Sequence, residues 1–133
     1  YRCRPGAGDG WVMIGDAYGF IDPVYSSGAF LAMKSSEMAA DVIHKALQVD
    51  DLSAGTLGSW QSGYNEGVEN FRRLVYAFYD EDFNFGRFLT RFPEHRRRLT
   101  DILVGNVFNA DVAKMFVDIG TLEGSPYFSG PLS

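Results

Sequence analysis

The stretch from Trp11 to Leu47 admits few chain paths. It reads W-V-M-I-G-D-A-Y-G-F-I-D-P-V-Y-S-S-G-A-F-L-A-M-K-S-S-E-M-A-A-D-V-I-H-K-A-L: an apolar run, a glycine-acid turn, a proline-bearing loop with a Ser-Ser-Gly corner, and a long segment rich in small residues. Trp11 to Ile14 suits a brief buried strand, and Gly15 ends it where the backbone must turn closely. Asp16 follows the strand end, where an acceptor-only carboxylate can take hydrogen bonds from ligand hydroxyls; a plain turn residue is the competing reading. Pro23 restricts the residue before it and Gly28 follows a serine pair, so residues 20–28 cannot be helical throughout. Ser26 or Ser27 is the natural N-cap, and a helix begins at about Gly28 or Ala29. The amides of Ser27, Gly28 and Ala29 then point out of a positive helix end, which favours an anion or an electron-rich ring edge.

The run Gly15-Asp16-Ala17-Tyr18-Gly19-Phe20-Ile21-Asp22-Pro23-Val24-Tyr25-Ser26-Ser27-Gly28 resembles the second FAD-contacting motif of flavin-dependent halogenases, of the tryptophan-halogenase-like type. These belong to the wider class of hydroxybenzoate-hydroxylase-type flavoprotein monooxygenases. The Gly-Asp pair is common to that class, and the Phe-x-Asp-Pro-x-x-Ser-x-Gly continuation is the halogenase-like part. The resemblance is closest over Asp9 to Lys45 and extends to about Phe108. It implies that Asp16 contacts the ribityl chain of FAD, that the loop from Asp22 to Gly28 lies beside the isoalloxazine ring, and that the amides of Ser27 and Gly28 hold chloride or bromide. Cofactor contacts are thereby expected at Gly15, Asp16, Ala17, Phe20, Pro23 and Gly28. Asp22 has two readings. It orients substrate or accepts a proton, as the matching acid of tryptophan halogenases suggests, or it is a structural Asx turn.

The activity so implied uses reduced FAD, O2 and halide to halogenate an activated aromatic or other electron-rich substrate. That substrate is a small molecule or is tethered to a carrier, and a flavin reductase is the expected source of reduced flavin. Three family features have no counterpart here. No G-x-G-x-x-G stands between a strand and a helix, the W-x-W-x-I-P motif is absent, and so is the lysine that relays the oxidant. All three lie upstream of the Gly-Asp motif in the family, and this chain opens on Tyr1. The expected fold class is therefore mainly α with a short β-hairpin, as the C-terminal fragment of an α/β FAD/NAD(P)-binding Rossmann-like flavoprotein lacking its nucleotide-binding βαβ unit. Residues 1–48 would close the FAD-binding domain and 49–133 would form a helical C-terminal region. Such a fragment is expected to be inactive alone and, with apolar faces uncovered, to self-associate. Two other readings stand beside the halogenase: a flavin-dependent hydroxylase, epoxidase or reductase without halide, and a non-catalytic helical docking module.

Tyr1 to Arg4 and Trp11 to Ile14 flank an Asp9-Gly10 turn pair, and the whole reads as a hairpin awaiting further strands. In the helix from Gly28 to Leu47, residues Ala29, Ala32, Met33, Ser36, Ala40, Ile43 and Leu47 form the expected inward face, with Lys34 pairing Glu37 outside. His44 suits a solvated last turn. A second helix is expected over about Thr56 to Tyr79, with Leu57, Trp60, Tyr64, Val68, Phe71, Val75 and Phe78 inward, and with Gly63 and Gly67 marking close packing or a bend. Phe83, Phe85, Phe88 and Phe92, interleaved with Arg87 and Arg91, read as a short amphipathic helix with its rings inside. A single-stranded nucleic-acid platform is the weaker reading, since the chain carries a net charge of -5. Pro93 opens a helix through Val104 with Leu99, Ile102 and Leu103 inward and Arg96, Arg97 and Arg98 solvated; His95 shows no partner in sequence. Asn109 caps a last helix to about Ile119, and an irregular tail follows.

Composition narrows the rest. Aromatic residues are 15% of the 133, which calls for an aromatic-lined core or pocket. Cys3 is the single cysteine, so an intramolecular disulfide and a cysteine-based zinc site are excluded, in keeping with a reducing, cytoplasmic setting. No apolar run reaches the roughly 18 residues of a membrane span, and no metal site is expected.

Overall fold

The computed structural model describes residues 1–23, 26–81, 83–104, 106–108 and 110–123. They form two compact units, residues 1–65 and 66–133.

In the first unit a two-residue turn at Asp9-Gly10 joins β1 (Ala7–Gly8) to β2 (Trp11–Val12), with Ala7 opposite Val12 and Gly8 opposite Trp11. Gly10 takes φ +77°, the left-handed conformation that such a turn demands. The expected hairpin arms need correction. A two-residue turn pairs its immediate neighbours, so the first arm is Ala7–Gly8, and Tyr1 to Cys3 runs instead against Tyr18 to Phe20. There Arg2 and Gly19 form a bridge, Cys3 N donates to the Tyr18 carbonyl at 2.8 Å and Phe20 N to the Tyr1 carbonyl at 2.9 Å. Nor is Trp11 to Ile14 a buried strand, since Trp11 and Ile14 are both exposed.

The hairpin finds its partners within this unit. The Asp9 carboxylate accepts Ala54 N-H at 2.8 Å, and Gly10 N donates to the Leu52 carbonyl at 2.9 Å. Ala7 is buried with Ala46 and Leu57, against half-buried Val12 and Ile43. A short turn of helix, α1 (Gly15–Tyr18), replaces the expected strand end.

Helix α2 spans Gly28–Gln48 with Ser27 as N-cap, as the Ser-Ser-Gly corner predicts. Its inward face is different from the one expected. Leu31, Ser35, Ala39 and Ala46 are buried, whereas Met33 and Leu47 are 67% and 63% exposed and Ala29 and Ala40 face outward. Size misleads here: the buried stripe is the one whose small side chains let α1 and the hairpin approach the helix backbone. Lys34 and Glu37 pair at 2.7 Å as expected.

The predicted helix over 56–79 is two helices, α3 (Ala54–Leu57) and α4 (Gln61–Tyr79). Ser53 caps α3 by accepting Thr56 N-H, and Gly58 closes it by donating to the Ala54 carbonyl at 2.9 Å. Trp60, in the break, is then buried against Tyr18 and Tyr64, with ring centroids 5.2 and 5.4 Å away. Burying a ring of that area outweighs three residues of uninterrupted helix.

In the second unit α4 contributes Phe71, Leu74, Val75 and Ala77 to a core completed by Phe83, Phe88, Ile102, Val107, Val112, Met115, Phe116 and Ile119. Phe78, expected inside, is 50% exposed, because the buried stripe drifts round the helix and Ala77 takes its place. Helix α5 (Phe85–Arg91) starts at Asn84, whose side chain accepts Arg87 N-H at 3.0 Å. Phe83 and Phe88 are buried, so the amphipathic reading of the phenylalanine run holds. Helix α6 (His95–Leu103) buries His95 and Ile102 but leaves Leu103 48% exposed. Helix α7 covers Ala110–Glu123, longer than predicted. The expected stop at Gly105, the cap at Asn109 and the tail from 124 lie outside the described residues. No helix among the described residues is long and apolar enough to cross a membrane.

Candidate functional site

The residues singled out in sequence lie in the first unit, on α1, on the loop after it and at the start of α2. Gly15 has φ +54°, and a side-chain carbon there would stand 3.2 Å from the Ala32 Cβ. Its amide donates to Ser35 Oγ at 2.9 Å, and the Ser35 hydroxyl in turn donates to the Ala32 carbonyl at 2.8 Å. Glycine at 15 is thus demanded by the protein's own packing, and the Gly-Asp turn is fastened to the second turn of α2. Ser35 is fully buried, and sequence reasoning passed it over because its neighbour Ser36 fell on the expected face.

Asp16 and Ala17 are exposed on α1. The Asp16 carboxylate makes no hydrogen bond or ion pair among the described residues, whereas its backbone carbonyl accepts the Tyr1 hydroxyl at 2.7 Å. Tyr1 also stacks on Phe20, centroids 6.5 Å apart, so a residue with no signal in the sequence holds this edge of the loop. Pro23 is exposed, and its carbonyl accepts Ser26 N-H at 2.9 Å. Asp22 is half-buried. No hydrogen bond or ring contact among the described residues links Asp16, Ala17 or Phe20 to Ser27 or Gly28.

The corner entering α2 is unusual in three ways. Ser26 sits at φ +52°, a left-handed conformation that is uncommon outside glycine. Ser27 is buried yet makes no side-chain capping bond, and the amides of Ser27, Gly28 and Ala29 find no acceptor among the described residues. A side-chain carbon built at Gly28 would meet nothing within 4 Å. Unlike Gly15, Gly28 is not explained by packing among the described residues. It leaves room for something to come close to the first turn of a 21-residue helix.

Behind the loop Tyr18, Trp60 and Tyr64 form a buried aromatic cluster, with Tyr18 and Tyr64 centroids 5.8 Å apart. The Tyr18 hydroxyl donates to Asn65 Oδ1 at 3.0 Å and the Tyr64 hydroxyl to the Leu31 carbonyl at 3.2 Å. Burial pushes the Tyr64 phenol up to about 12. Among the described residues no group of three or more His, Cys, Asp or Glu side chains could hold a metal ion.

No protein-family model matches the chain. Curated relatives do. Over 130 residues it is 28% identical to a 1H-pyrrole-2-carbonyl peptidyl-carrier-protein chlorinase of Pseudomonas fluorescens, covering 95% of this chain and 29% of that protein. Over 111 residues it is 32% identical to a 1H-pyrrole-2-carbonyl peptidyl-carrier-protein brominase of Pseudoalteromonas luteoviolacea, covering 84% of this chain and 27% of that one. A flavin-dependent halogenase, malA, of Malbranchea aurantiaca is 42% identical over 49 residues, 37% of this chain and 7% of its own. The chain therefore spans less than a third of the length of the curated relatives it matches. Those relatives are halogenating enzymes, the kind of protein that the run from Gly15 to Gly28 resembles.

Proposed function

We propose that this chain forms the flavin-facing loop and helical region of a flavin-dependent, halogenase-like oxidoreductase. The observation that carries the reading is the open approach at Gly28, at the start of a long helix whose N-cap serine makes no side-chain capping bond. Preorganised amide donors in such a place are suited to holding an anion beside a planar ring. The exposed, unengaged carboxylate of Asp16 suits the hydroxyls of a ribityl chain, so the residues present fit FAD. Similarity to a flavin-dependent halogenase and to a chlorinase and a brominase points to the same pair of ligands.

Bound FAD, once reduced and supplied with O2, provides the oxidising equivalent that such enzymes direct at halide. The chain's own part is placement. Asp16 accepts hydrogen bonds from the ribityl hydroxyls. Ala17, Phe20 and Pro23 give the cofactor a largely apolar border, and Gly28 contributes by having no side chain. The amides of Ser27 and Gly28 hold chloride or bromide, with the dipole of α2 adding to their pull. Asp22 is the nearest candidate in sequence to orient an electron-rich substrate. The substrates for which the two pyrrole halogenases are named make a carrier-tethered pyrrole-like ring the first to try. A flavin reductase would supply reduced cofactor.

The test is the absorption spectrum of the complete gene product, purified with FAD and titrated with bromide. An oxidised-flavin spectrum that shifts saturably with halide is the expected result. Flavin bound without any halide response would move the reading to a hydroxylase or reductase, and no flavin binding would overturn both.

A further inference from the structure

Residues 83–104 carry five of the chain's twelve Lys and Arg residues against two acids, Glu94 and Asp101, a local charge of +3 in a chain of -5. Arg98 is engaged with His95, its Nη1 donating to Nδ1 at 2.9 Å. The other four, Arg87, Arg91, Arg96 and Arg97, are exposed and form no ion pair among the described residues. Elsewhere Lys34, Arg72 and Lys114 each hold a carboxylate three residues away.

The position of Arg96 and Arg97 is unfavourable for the helix that carries them. They occupy the first turn of α6, at the positive end of its dipole, where acids are stabilising and cations are not. Two exposed arginines there, with no ion pair among the described residues, add nothing to the stability of the helix end. Their face continues in an equally exposed way. Arg96, Thr100 and Leu103 share one side of α6 at four- and three-residue spacing, with Arg97 and Val104 beside them, and Val104 is 72% exposed. The opposite side, His95 and Ile102, is buried. The outer face of α6 is thus basic at one end and apolar at the other. Arg87 and Arg91, one turn apart on α5, lie on the neighbouring helix, which Phe88 stacks onto His95 with centroids 5.4 Å apart.

We propose that this outer face of α6 is the docking surface for an acidic carrier protein that delivers the substrate. Charge complementarity selects an acidic partner, and the exposed apolar end gives it a desolvated contact. The halogenase reading supplies the class, since the chlorinase and the brominase act on a group carried by a peptidyl-carrier protein, and the match to the chlorinase covers nearly all of this chain. The proposal rests on that reading, but its test is separable from it.

The test compares the complete gene product with its Arg96→Glu, Arg97→Glu variant. A pyrrole-2-carbonyl-loaded peptidyl-carrier protein is the probe, and binding is followed by fluorescence anisotropy at several salt concentrations. The expected result is an affinity lower by on the order of ten-fold and a shallower salt dependence in the variant. A helical circular dichroism spectrum and a flavin content equal to the parent's show that the variant is folded. Chlorination or bromination of a free pyrrole should be the same in both proteins. Equal carrier affinity and equal salt dependence in both, or no carrier binding by either, would overturn the proposal. So would an acidic oligonucleotide that binds the parent more tightly than the carrier and is lost in the variant, since the face would then be a nucleic-acid surface. Absence of flavin and of any halogenation would sink the functional reading, yet charge-dependent carrier binding would survive it.

Discussion

Alanine at Gly63 and at Gly67, one turn apart on α4, should move stability in opposite directions. Both positions are interior to the helix, so both replacements gain about 1 kcal/mol in helix propensity and in reduced unfolded-state freedom. They differ in what the new methyl meets. At Gly63 the nearest atom is Met38 Cε at 3.6 Å, an ordinary contact with a flexible chain end, and the residue is exposed. At Gly67 the methyl would stand 2.2 Å from both Cδ1 and Cε1 of Phe108 and 2.9 Å from its Cγ. A whole ring edge must swing away, and forced overpacking of that kind costs about 1 to 3 kcal/mol. Gly63→Ala is therefore expected to raise stability by about 1 kcal/mol, and Gly67→Ala to lower it by about 1 kcal/mol once the propensity gain is subtracted. Urea unfolding followed by far-ultraviolet circular dichroism reads both. Adding Phe108→Ala to Gly67→Ala should abolish the cost specific to the methyl. If Gly67→Ala stabilised as much as Gly63→Ala, close packing against Phe108 would not be why glycine occupies that position.

Three further outcomes follow from named contacts. His95 donates from Nε2 to Asp118 Oδ2 at 2.6 Å while Nδ1 accepts from Arg98, which fixes one neutral tautomer; His95→Ala removes both bonds and the Phe88 stack and should cost about 3 kcal/mol in unfolding free energy, whereas Asp118→Asn, which keeps an acceptor, should cost about 1 kcal/mol. Burial raises the folded-state pKa of Tyr64 to about 12, so between the unfolded value near 10 and that value the native state binds the extra proton; its contribution is complete below pH 10 and is lost as pH rises through 12, by about 2 to 3 kcal/mol, a loss that Tyr64→Phe should suppress in alkaline unfolding curves. Gly28→Ala meets no atom within 4 Å and should leave the unfolding midpoint unchanged or slightly raised, yet it should weaken the bromide-induced change in the flavin spectrum; an unaltered titration would separate the opening at Gly28 from halide binding.

The parts of this fold legible in sequence are those set by local backbone chemistry. The Ser-Ser-Gly corner marks the start of α2 although Ser27 makes no side-chain capping bond, and Gly10 and Gly15 take the positive φ that their turns require. The phenylalanine run reads correctly in part: Phe85 and Phe88 lie in one short helix, while Phe83 and Phe92 flank it. What could not be read is decided by distant partners. Met33 and Leu47 make the more hydrophobic stripe on α2, but Ser35 and Ala39 are the ones covered, because α1 needs a hydrogen-bond acceptor and a close approach more than it needs bulk. The break before α4 follows from Trp60 reaching Tyr18, forty-two positions away.

The arginine triplet of α6 shows the same division within three consecutive residues. In sequence Arg96, Arg97 and Arg98 are equivalent, a solvated basic face. The fold separates them through His95, whose acceptor nitrogen Asp118 cannot satisfy because a carboxylate has no proton to give. Arg98 satisfies it from the next turn, and its charge is used internally. Arg96 and Arg97 are exposed and stand at the helix end that their charge disfavours. One arginine of the three is thus accounted for by an internal bond, and the other two are left to solvent or to a partner. Neutralising them, with Arg96→Gln and Arg97→Gln, should therefore leave the unfolding midpoint unchanged or slightly raised, while Arg98→Gln should lower it. A fall of equal size in all three variants would return the triplet to a single solvated face and remove the reason to seek a partner there.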